Sequence, residues 1–271
     1  MTYTIIGGEP HSGIQICFTG SPPVSDEDIA KQAEQNGVLG LSAMNHIASK
    51  VAPHDRKLAV IGGGPSIIEN EERLRNWGGD RWAINGAYHW CQKKGIEDVT
   101  FIAADPHEIV ASWAYRVKRA IVTTRCNPKV FGVLKAGQAD VKTFKLDGPN
   151  KIISGSSTAT VVPHLAALNG YKHITFFGCE SCHSPERTHA YMREPRDAEM
   201  IVRCNGEDFY TAPDWLMQAC ELATIIGLAP HVFLEESGGL LRAMLANPEY
   251  EIAWISKGLA DQLKPKEQEA A

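Results

Sequence analysis

The hydrophobic positions of this chain change rhythm near residue 57. From there on, short apolar runs alternate with amphipathic stretches. The runs Leu58–Ile61, Trp82–Ile84, Val99–Ala103, Ala120–Thr124, Val141–Leu146 and His173–Phe177 read as strands. Most close on Gly, Asn or Asp-Pro, the residues that end strands in turns. Helical spacing fills the gaps at Ile68–Trp77, Tyr88–Lys94 and Thr158–Asn169. Alternating βα units of this length predict an α/β fold: a Rossmann-like, doubly wound, mostly parallel sheet.

The flanks follow other rhythms. Residues 3–18 alternate and turn at Gly7–Gly13, which predicts a β-hairpin. Ser25-Asp26-Glu27-Asp28 opens a helix with a capping-box-like start that ends near Asn36-Gly37, and a second helix is expected over residues 40–50. Beyond residue 183, Ser184–Asp208 is polar and too long for an ordinary connection, so a lid or substrate loop is expected. Pro213–Ile226 reads as an amphipathic helix, His231–Leu234 as a strand and Gly239–Leu245 as a helix, closing the same sheet. The expected organisation is an N-terminal extension (1–56), a Rossmann-like nucleotide-binding core (57–183), and a lid with C-terminal elements that complete that domain (184–271).

The first apolar run empties into Gly62-Gly63-Gly64-Pro65-Ser66. Glycines let a backbone approach an anion and take positive φ. Pro65 presets a helical φ, and Ser66 can add a hydroxyl to a phosphate cage. The turn fits neither the dinucleotide fingerprint nor the P-loop, since Ile67 stands where a glycine is wanted and no Lys follows Gly64. It reads either as a phosphate cradle at a helix head or as a tight connection without ligand.

Ligands of open parallel sheets bind beyond the carboxyl ends of the strands. That edge would carry the glycine turn, Asn85, Asp105, Asn127 and Glu180. A second small-residue turn, Ser154-Gly155-Ser156-Ser157, precedes the Thr158 helix, where backbone N–H groups and the helix dipole favour an anion. A serine N-cap with no ligand explains the same residues. Glu235-Glu236-Ser237-Gly238-Gly239 is a third such turn, with two acids that argue for a metal or for no ligand.

Composition narrows the class. The 271 residues carry a net charge of −5 and no long Lys/Arg run, so no nucleic-acid partner is expected. No apolar stretch is long enough for a membrane span, and the first residues lack a signal-peptide pattern, so a cytoplasmic protein without a membrane partner is expected. Seven cysteines fit reduced thiols better than a disulfide framework. Cys179-Glu180-Ser181-Cys182-His183 spells a haem-attachment pattern, but it lies at a strand end with no export signal. A zinc site using Cys179, Cys182 and a third ligand from His183, His189 or Cys204 has the right pair spacing but no second Cys-x-x-Cys.

The GGGPS turn, Asn85, Asp105-Pro106, and SGSSTAT leading into LAALNGYKHITFFGCE resemble the MptE-like family over about residues 57–182. That family includes archaeal 6-hydroxymethyl-7,8-dihydropterin diphosphokinases. Its fold is similar to that of bacterial sialyltransferases that use CMP-sialic acid, and the 185–245 segment looks most like phage members. The resemblance implies that Gly62, Gly64, Pro65, Ser66, Asn85, Ser154, Gly155, Ser156 and Ser157 line a nucleotide site, with Asp105 on a metal or a substrate hydroxyl; Gly63 belongs to the same turn but stands where the sialyltransferase relatives have Asn.

The expected function is pyrophosphoryl transfer from ATP to a small hydroxyl acceptor. The alternatives are glycosyl transfer from a CMP-sugar, or nucleotide or protein binding without turnover. For the first, Asp105 and Glu180 are the candidate Mg²⁺ ligands. For the second, His189 in the polar loop is the candidate general base. Arg187, Arg193, Arg196 and Arg203 would close the loop on phosphate, unless neighbouring acids simply offset them. A small-molecule substrate is the expected partner, and a homo-oligomer is compatible with this reading.

Overall fold

The computed structural model describes residues 3–6, 15–18, 24–38, 51–146, 152, 155–184, 189–191, 198–247, 250 and 252–258. Strands β1 (Tyr3–Ile6) and β2 (Gln15–Phe18) pair antiparallel, as the alternating pattern predicts. Helix α1 (Asp26–Val38) starts at Ser25, whose hydroxyl accepts the Asp28 N–H at 3.1 Å. Asn36 on its buried face donates to the carbonyls of Thr124 and Cys126, tying α1 to the main sheet. The helix expected over 40–50 lies outside the described residues.

The core is built from β3 (His54–Ile61), α2 (Glu71–Arg75), β4 (Asp80–Ile84), α3 (Ala87–Lys93), β5 (Val99–Ala103), α4 (Val110–Trp113), β6 (Arg119–Thr123), α5 (Pro128–Ala136), β7 (Asp140–Phe144), α6 (Thr158–Leu168) and β8 (Tyr171–Phe177). After β9 (Met200–Cys204) and β10 (Glu207–Thr211) come α7 (Pro213–Leu228), β11 (Phe233–Glu235), α8 (Gly239–Ala246) and β12 (Ile252–Ser256). Seven strands form one parallel sheet in the order β11-β8-β3-β4-β5-β6-β7. The α/β class and the doubly wound parallel sheet are therefore as expected, and β11 closes that sheet.

Both faces of the sheet are covered, which is why its strands are continuous apolar runs. Leu58 and Val60 of β3 pack on one side with Leu165 of α6, Leu216 of α7 and Leu241 of α8. Ala59 and Ile61 face the other side with Ala87 of α3, Val110 of α4 and Phe131 of α5. The chain winds from β3 outward to β7, then returns to lay β8 on the other flank of β3. The switch in strand order therefore falls between β3 and β8, where a crevice forms in open α/β sheets.

Two expectations need correction. The glycine turn does not open a long helix at Ile68. It leads into one 3₁₀ turn, Pro65–Ile67, and α2 begins only at Glu71. The described part of the polar 184–208 segment is not simply a loop. Met200–Cys204 and Glu207–Thr211 pair through Asn205-Gly206, both with positive φ, and β12 adds to β9 as a third antiparallel strand. Asn-Gly is the preferred two-residue hairpin turn because both residues tolerate that backbone. Arg203 lies in this small sheet and pairs with Asp208 at 2.7 Å, so it does not face a phosphate. Arg187, Arg193 and Arg196 lie outside the described residues.

Candidate active site

A cleft of 760 Å³ lies over the carboxyl ends of the strands at the switch point. It is lined by Gly62–Gly64, Asn85, Asp105–His107, Arg125, Gly155–Thr158, Gly178–Cys182, His189 and Tyr191, with Trp215 and Gln218 from α7. Most of the residues singled out from the sequence thus share one recess. Ser154 lies outside the described residues. Pro65 and Ser66 sit behind the wall and do not line it.

The glycine turn is filled by the protein itself. Gly62, Gly63 and Gly64 do not have positive φ, so the backbone conformation expected for them is corrected. Each is needed for close approach. A Cβ on Gly62 would strike the Gly178 carbonyl oxygen, one on Gly63 would lie 2.7 Å from the Tyr191 hydroxyl, and one on Gly64 would strike the Glu180 carboxylate. Three of the donors are also taken. Gly62 N–H bonds to Phe177 O at 2.7 Å, Gly64 N–H to Gly178 O at 2.8 Å, and Ser66 N–H to Glu180 Oε1 at 2.7 Å. The Ser66 hydroxyl donates to Glu180 Oε2 at 3.2 Å.

The second turn repeats this device. Ser156 donates its N–H to Glu221 Oε2 at 2.8 Å and its hydroxyl to the same oxygen at 2.9 Å, and a Cβ on Gly155 would strike that carboxylate. At the third turn, Glu235 accepts the Gly238 N–H. Each turn read as an anion site holds one of the chain's own carboxylates where a phosphate oxygen would sit.

Glu180 is only 6% exposed, and burial pushes its carboxyl up to about 7 even though Ser66 donates twice to it. The thiols of the Cys-x-x-Cys pair are raised for the same reason, Cys182 to about 11. Among the described residues, no cluster of three or more His, Cys, Asp or Glu side chains is placed to hold a metal. Asp105 and Glu180 do not converge on one ion. They follow β5 and β8, three strand intervals apart, or about 14 Å. Glu180 is turned to Ser66, and Asp105 accepts the His107 N–H at 2.8 Å. The residues expected to hold Mg²⁺ as a pair do not fit it.

The chemistry-bearing geometry lies at the ends of β4, β5 and β6. His107 Nδ1 is 2.5 Å from Asp105 Oδ1. With that N–H donated to the carboxylate, Nε2 is left as the nitrogen able to take a proton. This is the orienter-and-base arrangement of nucleophile activation. The sequence reading missed His107. Its signal was the run Asp105-Pro106-His107, in which an Asx-type turn folds the imidazole back onto the carboxylate. Asn85 has φ 48°, a left-handed conformation that Asn tolerates. Its Oδ1 is a buried atom with no hydrogen-bond partner among the described residues, while Ser157 caps α6 in a capping box with Thr160. Arg125 is the one Arg or Lys among the described residues lining the cleft. His189 sits between Tyr191 and Trp215, with ring centroids 5.3 and 5.7 Å away.

No protein-family model and no curated protein matches the chain in sequence. Its fold is similar to that of the MAf glycosyltransferase from Magnetospirillum magneticum AMB-1, with TM-score 0.58 and 16% identity over 80% of this chain. The chain spans about 37% of the length of that protein. The A domain of a carboxylic acid reductase from Segniliparus rugosus matches at TM-score 0.19 and 12% identity, over 61% of this chain and 27% of the other. The likeness to the first shows a shared Rossmann-like α/β fold. Among the described residues, no helix is long and apolar enough to cross a membrane.

Proposed function

We propose that the chain is a glycosyltransferase whose donor is a CMP-sugar, with one phosphate between nucleoside and sugar. The observation that carries this is the Asp105–His107 pair in the cleft of a fold similar to that of the MAf glycosyltransferase. Arg125 lines the same cleft and supplies a positive charge for a phosphate. Asn85 Oδ1, without a partner among the described residues, supplies a polar contact that a ribose or sugar hydroxyl satisfies.

In this reading, His107 Nε2 takes the proton of the acceptor hydroxyl, whose oxygen attacks the anomeric carbon. The bond from that carbon to the phosphate oxygen breaks, and the electron pair leaves on CMP. Asp105 holds the imidazole in the required tautomer and stabilises its charged form. Arg125 offsets the negative charge that grows on the leaving phosphate. His189 serves as part of the cleft wall and not as the base.

Pyrophosphoryl transfer from ATP is less well supported, because it asks for paired metal carboxylates, while Asp105 and Glu180 follow strands three intervals apart and Glu180 is turned onto Ser66. The MptE-like resemblance of residues 57–182, including its phage branch, enters this proposal only through the shared Rossmann-like core. The test is to incubate the protein with CMP-N-acetylneuraminate, UDP-N-acetylglucosamine, GDP-mannose and ATP, each with Mg²⁺ or with EDTA, and follow the nucleotide products. The expected result is CMP release that persists in EDTA. AMP formed from ATP only with Mg²⁺ would restore the diphosphokinase reading. No turnover of any donor would leave the binding-only alternative.

A further inference from the structure

Tyr191 occupies a site that two glycines make for it. Its ring lies over the turns that end β3 and β4. A Cβ on Gly63 would stand 2.7 Å from its hydroxyl, and a Cβ on Gly86 would stand 2.6 Å from its ring carbons. Carbon atoms do not approach that closely, so no other residue at 63 or 86 leaves the ring where it is. The preceding residue is anchored to the same place, with Ala190 N–H donating to Gly63 O at 2.9 Å. The His189–Tyr191 segment is thus docked across two strand ends on the cleft.

The docked ring does not stand alone. Tyr191 leads to His189 at 5.3 Å between centroids, His189 to Trp215 at 5.7 Å, and Trp215 to His183 at 4.7 Å. The first three of these rings line the cleft. They form a row from the glycine turns to the start of α7, and the Asp105–His107 pair lines the same cleft. A wall of flat, weakly polar rings beside acidic and hydroxyl groups matches a molecule with an apolar face and polar edges. A pyranose has that shape: C–H groups on its faces and hydroxyls around its rim.

We infer that Tyr191, seated in the Gly63–Gly86 socket, is a positioning residue that holds the His189–Trp215 row against a pyranose ring bound in the cleft. This deepens the glycosyl-transfer reading and rests on it. The socket also accounts for Gly63 and Gly86 without a phosphate contact at either.

Saturation-transfer NMR with methyl β-galactoside and methyl α-glucoside as sugar probes, and with CMP as a nucleotide probe, tests this without turnover. Wild type and Tyr191→Phe should saturate the sugar ring protons and quench Trp fluorescence to similar extents. Tyr191→Leu and Gly86→Ala should each weaken sugar binding tenfold or more, with CMP binding changed less than threefold. Gly86→Ala/Tyr191→Leu should be no weaker than Tyr191→Leu alone, because both changes remove one contact. Thermal melts establish that each variant is folded. Sugar binding that is unchanged in Tyr191→Leu, or losses that add in the double variant, would overturn the inference and leave the glycosyl-transfer reading standing. CMP binding with no sugar contact would overturn the inference alone. Failure of every probe to bind would remove both.

Discussion

The two sides of the cleft answer the same question in opposite ways. At the ends of β3 and β8, the backbone N–H groups of Gly62, Gly64 and Ser66 are spent on Phe177, Gly178 and Glu180. At the ends of β4 and β5, a buried amide oxygen of Asn85 has no partner among the described residues and an imidazole is oriented by Asp105. Glycines mark a close approach of backbone to something, and the something need not be a ligand. Here it is a neighbouring strand, a tyrosine ring and a carboxylate. An acceptor left without a donor is the better pointer to a bound molecule, because a buried polar atom without a hydrogen bond costs stability that a ligand can restore.

If the open side does the chemistry, the largest effect belongs to His107. His107→Gln should lower turnover by roughly 10²–10⁴-fold with little change in KM, the usual contribution of a general base. A steady-state assay with the best donor checks this, and a loss of that size in Gly64→Ala but not in His107→Gln would reverse the comparison.

The closed side should reveal itself in stability against pH. Glu180 has its carboxyl raised to about 7 by burial, against 4.5 for the ordinary group. The folded state therefore holds a proton that the unfolded chain releases first. Stability is highest below about pH 4.5, falls as pH rises to about 7, and is level above that, by roughly 3 kcal/mol in all. Urea denaturation across pH 4–8 measures the slope, and Glu180→Gln should flatten it. A smaller loss, about 2 kcal/mol, is expected for Gly62→Ala, whose Cβ meets the Gly178 backbone, which a side-chain rotation cannot clear. Glu221→Gln should cost least, about 1 kcal/mol, since its bonds to Ser156 are open to water. A larger loss for Glu221→Gln than for Gly62→Ala would mean that the second turn, not the first, anchors the cleft.

Much of the fold was legible because buried parallel strands write themselves as apolar runs. Val99–Ala103 is bounded in the structure as in the sequence, and Thr158 begins α6. The small antiparallel sheet was not legible. Met200–Cys204 is a short apolar run broken at its fourth position by Arg203 and embedded in a polar stretch that hid it. The Asn205-Gly206 turn, the strongest mark of a hairpin there, lay inside a segment read as a loop. The glycine turn was overread for a physical reason: the sequence shows that backbone comes close but not to what. Glu180 lies 114 residues from Ser66, beyond any local pattern. His107 was underread because its value depends on a hydrogen bond to Asp105 that only the turn geometry creates.

The central claim is that a nucleotide meets the β4–β6 side of the cleft while the glycine turn stays closed on Glu180. A crystal structure of the protein with CMP tests it most directly. The account predicts the phosphate beside Arg125 and His107, a CMP donor on Asn85 Oδ1, and Ser66 N–H still bonded to Glu180. A phosphate seated on the Ser66 N–H, with Glu180 displaced, would contradict it.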